Sequence, residues 1–320
     1  MDALAHLTAA LPLELLLSPW VLALLGLAIG SFMNVVVHRL PLMMERQWWA
    51  DAAAQLAEAE SFRRVFAAEA PGGLTQAGAA LEKTLDALQP LTLSRPRSRC
   101  PACGHRIRWH ENIPVLSWLW LKGRCSACAT RISVRYPLVE IGTAVLFGAL
   151  AWRLGAEPMT LLWCAVAAVL LTLALIDWDT TLLPDALTQP LLWGGLIVAA
   201  LGWNTSAGGL TLASALGGAV AGYLSLWSVY WLFKLVTGKE GMGYGDFKLL
   251  AALGAWMGWQ AILPIVLASS VVGAVVGIGL KMTGGLREGR FMPFGPFLAG
   301  GGLMVMLAGL PMVLSWIGWD

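Results

Sequence analysis

TLLWCAVAAVLLTLALI, from Thr160 to Ile176, carries no charged side chain and stops at Asp177. A run this apolar must be buried, either in a large protein core or in lipid. Its length falls at the lower end of the ~17–25 residues that cross a ~30 Å hydrocarbon layer as a helix. Outward from it the pattern repeats, with further apolar runs at about 15–37, 138–154, 186–201, 210–235, 247–260, 261–280 and 294–317. Composition decides between core and lipid. Of 320 residues, 58% are hydrophobic and 12% charged, against about 25% charged in a soluble domain, and the mean hydropathy is +0.70. So little charge cannot cover a water-facing surface, so most of the exterior faces lipid. The fold class expected is an all-α polytopic membrane protein with about eight transmembrane helices.

The same numbers exclude other classes. A net charge of +2 is too small to argue for nucleic acid, and five cysteines are too few for a disulfide-rich secreted scaffold. No lysine or arginine precedes the first run, and no small-residue cleavage site follows it, so it reads as a retained helix and not a signal peptide. The run at 247–260 is short, and either extends through the glycines before it or is re-entrant, which leaves six or seven spans as alternatives. Charge favours eight. Fourteen of the 21 Lys and Arg lie between Arg39 and Arg135, and six more are Lys234, Lys239, Lys248, Lys281, Arg287 and Arg290. With eight spans and both termini outside, all of these are cytoplasmic and only Arg153 is not, as the positive-inside rule requires. The expected organisation is a first transmembrane helix in 1–38, a cytoplasmic domain in 39–137 between helices 1 and 2, and a seven-helix membrane core in 138–320.

In the polar segment, the Ala-, Leu- and Glu-rich stretch from Asp51 to Ala70 predicts a helix that ends at Pro71-Gly72-Gly73. Its Leu56, Phe62, Val65 and Phe66 suit either the membrane surface or packing within the domain. A second short helical pattern covers about 79–88. Then come Cys100-Pro-Ala-Cys103 and Cys125-Ser-Ala-Cys128, with 21 residues between the pairs. Two thiolates so spaced sit on one tight turn, and two such turns complete a tetrahedron around one zinc ion. Four thiolates leave no open position for water, so the metal is structural. Redox pairs or disulfides are the alternative, against which a cytoplasmic placement argues. Cys164, inside an apolar run, reads as an ordinary buried residue.

Ionisable groups at the rim of spans are candidates for function. Asp177 ends the 160–176 run and Asp246 begins the 247–260 run after Gly241-Met-Gly243-Tyr-Gly245. The eight-span arrangement puts both at the cytoplasmic side at one depth. If they meet, they cannot both ionise cheaply. The ionised one can take a proton from water and the protonated one can donate to a scissile carbonyl, which is aspartic peptide hydrolysis. Asp179 and Asp185 are rivals, and capping or cation binding is the blander reading. Glu140, just inside the second span, is a site candidate with packing as its alternative. Paired acids and Gly-broken helices also suit an ion-coupled membrane transporter, and a non-enzymatic assembly factor held by the zinc domain is a third reading.

Blocks in order along almost the whole chain resemble the bacterial type IV prepilin peptidases, GxGD-type aspartic proteases that are also N-methyltransferases. They are Gly30-Ser-Phe-Met-Asn34 through Pro41, both CxxC pairs, Glu111-Asn-Ile-Pro114, Arg135-Tyr-Pro137 through Glu140, Asp177 seven positions before Pro184, Gly243-Tyr-Gly245-Asp246, and Pro293-Phe-Gly295-Pro296. The resemblance implies Asp177 and Asp246 as catalytic residues. It implies cleavage of type IV prepilins and type II secretion pseudopilins after a glycine at the cytoplasmic face of the bacterial inner membrane, both termini of the enzyme being periplasmic. It also implies methylation of the new N-terminus with S-adenosyl-L-methionine. No Rossmann-type glycine motif marks the methyl donor's site. Gly30, Asn34 and Glu140 are candidates to bind it, Gly30 and Asn34 sharing a helix face. Close helix packing by Gly30 and a buried hydrogen bond by Asn34 are the alternatives. The zinc, on Cys100, Cys103, Cys125 and Cys128, stays structural. Partners are the pilin substrates and membrane lipid, with no nucleic acid; a homo-oligomer and pilus or secretion assembly partners stay open. The segment at about 49–94 looks longer than is usual in the family.

Overall fold

A computed structural model describes residues 13–204, 209–283 and 292–319. After a single turn at Leu13–Leu16 come α1 (Pro19–Ala57), α2 (Ala59–Phe66), α3 (Leu74–Asp86), a 3-10 turn at Trp109–Asn112 and α4 (Leu116–Trp120). Then follow α5 (Arg135–Leu154), α6 (Pro158–Thr180), α7 (Asp185–Ala200), α8 (Leu212–Thr237) and α9 (Tyr244–Met257). A 3-10 turn at Trp259–Ala261 leads into α10 (Ile262–Met282), and α11 (Gly295–Ala308) and α12 (Leu310–Trp316) close the chain. Among the described residues there is no β-strand, only two isolated bridges. The chain divides into two compact units, Asn34–Val134 and the remainder.

Among the described residues, five helices are long and apolar enough to cross a membrane: α1, α5, α6, α8 and the Trp259–Met282 segment. Helices stand at the other three expected spans, but none is a straight span of full length. At 1.5 Å per residue, α7 with 16 residues and α9 with 14 reach about 24 and 21 Å, short of ~30 Å. The expected closing span is broken at Gly309, where α11 and α12 meet at 109°. Glycine carries the turn at φ 89°, Pro311 starts the new helix at a position where its missing N–H costs nothing, and hydropathy alone does not register either residue. Counting the bent pair as one span gives six. Arg287 and Arg290, used above to orient the chain, lie outside the described residues.

In the larger unit, α9 is the central element. It packs on α7 and α8, and nine of its apolar residues from Phe247 to Met257 are buried, together with Gly254. Its backbone meets that of α8 so closely that a Cβ on Gly254 would overlap the Gly218 carbonyl. Trp256 of α9 donates its indole N–H to the Leu191 carbonyl of α7 at 2.7 Å, and its ring lies 5.4 Å from that of Trp163 on α6. One tryptophan therefore joins three helices through a polar bond that lipid could not supply. Elsewhere Gly26 and Gly30 of α1 form the small-xxx-small face that lets α5 approach. A Cβ would stand 2.7 Å from Ala144 Cα at the first and 2.7 Å from Glu140 Cα at the second.

In the smaller unit α1 does not end where the charges begin. It runs through Pro41 to Ala57, so the stretch from Asp51 to Ala70 is not one helix. Its first part continues α1, and α2 is a separate two-turn piece with no buried residue. The polar residues beyond Arg39 are adequate helix formers and have no reason to stop a helix already nucleated. α3 crosses the end of α1 at Gly78, where a Cβ would lie 2.5 Å from the Ala57 nitrogen. Arg39 straps the following linker to α1 by donating to the carbonyls of Thr92, Leu93 and Pro96 at 2.9, 3.2 and 2.7 Å.

Candidate active site

Asp177 sits in the last turn of α6 and is buried. The helix ends three residues later, at Thr180, because Thr181 takes the left-handed conformation at φ 56° and donates its N–H back to the Asp177 carbonyl at 2.8 Å. Leu182–Pro184 then lead to α7. Asp246 is the third residue of α9, also buried. The two carboxylates, 69 positions apart in the sequence, sit on elements tied to one segment: Gly295, which donates to Asp177, and Gly245, which precedes Asp246, both pack against Leu183.

A third element completes the pocket. The backbone N–H of Gly295, first residue of α11, donates to Asp177 Oδ2 at 3.0 Å. Only glycine fits there, since a Cβ would be 2.6 Å from that oxygen and 3.2 Å from the Leu183 side chain. Leu183 also fills the space beside Gly245, where a Cβ would come within 2.7 Å of its own Cβ. The starts of α9 and α11 thus both close on the segment that follows Asp177, through two glycines and one leucine.

The rival acids are engaged with cations. Asp185 takes Lys248 Nζ on both oxygens at 2.8 Å, and Asp179 takes Arg135 at 2.7 Å. Their side chains are 59% and 34% exposed, whereas Asp177 and Asp246 are 4% and 6% exposed as residues. Glu140 is buried on α5. Gly30 is taken up by the helix crossing described above, with its Cα face closed by the Glu140 backbone. Asn34 is half-buried and belongs to the smaller unit.

The four cysteines form a separate cluster, with all four Sγ atoms within 4.8 Å of one another. Cys100 and Cys128 are 3.7 Å apart, and Cys103 and Cys125 4.0 Å. A tetrahedron with Zn–S bonds of ≈ 2.3 Å has sulfur–sulfur edges of about 3.8 Å, so the donor set fits zinc. Each pair lies on the same turn: Cys100 N–H bonds to the His105 carbonyl and Cys125 N–H to that of Thr130, both at 2.9 Å. Glu111 braces the two turns. It accepts from the Arg108 N–H at 2.8 Å and meets His105 Nε2 at 3.2 Å, and Ser126 of the second turn lies 3.3 Å from the same nitrogen. The Arg108 N–H above all, with help from Ser126 and His105, holds the Glu111 carboxyl down at about 2.

Reading the residues for chemistry missed the Gly295 contact and the Glu111 brace. Both residues stood in blocks quoted only for a resemblance, Pro293–Pro296 and Glu111–Pro114, and the signal in each is a polar or glycine position wedged between prolines or cysteines.

Comparison with known proteins bears on this geometry. The bacterial peptidase A24 N-terminal domain matches residues 24–154, and the type IV leader peptidase family matches residues 164–278. A prepilin leader peptidase/N-methyltransferase of Aeromonas salmonicida (strain A449) is 48% identical over 295 residues, 91% of this chain and 92% of that protein. The chain belongs to the prepilin leader peptidase/N-methyltransferase family. Proteins of the same description from Pseudomonas putida and Burkholderia pseudomallei (strain 1026b) are 51% and 46% identical, over 89% and 91% of this chain and 88% and 85% of theirs. No solved structure matches. Membership makes the chain an enzyme, a peptidase and a methyltransferase, and leaves the transporter reading without support.

Proposed function

We propose that this enzyme removes the leader of type IV prepilins and type II secretion pseudopilins after a glycine, at the cytoplasmic face of the inner membrane, and then methylates the new N-terminus. The observation that carries the reading is the burial of two acids, Asp177 and Asp246, on elements that both close on Leu183, while the neighbouring Asp179 and Asp185 are held in ion pairs. Asp177, whose Oδ2 is held in place by the Gly295 N–H, is assigned here as the base and Asp246 as the acid. Asp177 takes a proton from water as its oxygen attacks the scissile carbonyl carbon, and Asp246 gives its proton to the carbonyl oxygen. Collapse of the tetrahedral species breaks the C–N bond, with the proton on Asp177 passing to the leaving amine and one hydroxyl proton of the diol returning to Asp246. No acyl-enzyme forms.

Eight crossings with both termini periplasmic belong to the same proposal. They keep the basic segments inside and set the two acids at one depth, with α7 and α9 as short crossings shielded by neighbouring helices. Cys100, Cys103, Cys125 and Cys128 would hold one zinc ion, which supplies cross-linking of the polar domain and no chemistry. S-adenosyl-L-methionine supplies the methyl group when bound. Asn34 and Glu140 are proposed contributors to its binding, and Gly30 acts on it only by setting the spacing of α1 and α5.

The test is purified full-length protein in detergent with a prepilin and labelled S-adenosyl-L-methionine. The leader should be released and the label should appear on the new N-terminal residue; a prepilin left intact by folded, zinc-loaded protein overturns the proposal. Within it, Gly295→Ala should lower kcat for cleavage about 100-fold, the effect of displacing a reacting group by roughly 1 Å. KM and zinc content should hold. Equal losses in kcat and melting temperature would instead make Gly295 a packing residue.

A further inference from the structure

The turn α4 divides its side chains sharply. Trp118 faces inward: its indole N–H bonds to the Ile132 carbonyl at 3.2 Å, and its ring covers Gly123, where a Cβ would lie 2.8 Å away. Leu116, Leu119 and Trp120 face outward at 63%, 59% and 80% exposure, and Trp109 on the packed 3-10 turn is 82% exposed. Two fully presented tryptophans and two leucines on a small polar unit form an apolar surface that water does not favour. Tryptophan is the side chain that prefers the boundary between water and lipid.

Charge identifies what covers it. From Arg97 to Val134 there are seven Lys and Arg, all exposed, and Glu111 is the one acid. Glu111 is already bound to His105 and the Arg108 N–H, so it does not offset the field at the surface. A basic pilin leader would be repelled by such a surface. Anionic phospholipid headgroups would be attracted, and the apolar side chains could enter the boundary beneath them. We infer that Trp109, Leu116, Leu119 and Trp120, on a segment that also exposes Arg97, Arg108 and Lys122, form a lipid-docking surface for the anionic headgroups of the bilayer that the rest of the chain spans.

The experiment places the photoreactive residue p-benzoylphenylalanine at position 119 of the full chain, reconstituted in nanodiscs of phosphatidylglycerol with phosphatidylethanolamine or of phosphatidylcholine alone. Mass spectrometry reads the adducts after irradiation. Lipid adducts should be at least fivefold more abundant in the anionic discs. Combined Arg97→Gln, Arg108→Gln and Lys122→Gln changes should bring them to the phosphatidylcholine level with zinc content unchanged. If that variant loses zinc, the comparison of the two lipids decides alone. Equal yields in the two lipids, no lipid adduct, or adducts to this chain, a second copy or co-purified nucleic acid would overturn the assignment.

Discussion

Asp246→Asn and Asp177→Asn should each slow prepilin cleavage by at least about 1,000-fold, within the 10²–10⁴ that positioned acid–base groups contribute. The substitution keeps size and shape, so the two helix ends can still pack as described. In particular the amide introduced by Asp177→Asn retains an oxygen that can accept the Gly295 N–H, and a loss of activity there cannot be assigned to a lost contact. What each variant lacks is a group that can exchange the proton of the attacking water or the carbonyl oxygen. Because the acids work as a unit, the double variant should be little worse than either single one. Methylation of pre-cut pilin should continue in all three. Single-turnover cleavage with gel readout, beside methyl-label incorporation, checks this. Normal processing by either single variant removes that residue from the mechanism.

Removing zinc should unfold the segment from Arg97 to Val134 before it affects cleavage. This stretch has almost no core of its own: neither its 3-10 turn nor α4 contains a buried residue, and Cys100 is its one buried hydrophobic side chain. Structural zinc contributes about 10–16 kcal/mol in small metal-folded peptides, more than such a segment could replace. A strong chelator, or Cys103→Ser, should therefore release one zinc per chain and expose Arg97–Val134 to limited proteolysis. Helical content by circular dichroism should hardly change, and cleavage should decline only as proteolysis proceeds. Immediate loss of cleavage from a chelated but protease-resistant protein would put the metal in the chemistry.

The readable part of the fold was what one helix can express by itself. Thr160–Ile176 became α6, and the spacing within each cysteine pair became two matching turns. Features that depend on partners far along the chain were not readable. The Lys248–Asp185 pair spans 63 positions and the Gly295–Asp177 bond 118, so the sequence left Asp179 and Asp185 as rivals and gave no sign of the ion pairs that engage them. The end of α1 was misplaced for a different reason. A change from apolar to polar residues marks where lipid ends, and a helix whose backbone bonds are already formed has no cause to end there too.

Leu183 touches the positions where Gly245 and Gly295 lack side chains, and it follows Asp177 by only six residues. One aliphatic group thus serves as a gauge block between the mounts of both acids. A bulkier residue there would push both mounts outward, and neither glycine has a side chain to give up in return. Positions 183, 245 and 295 should therefore resist change as a single locked triplet, whatever happens to the loops around them.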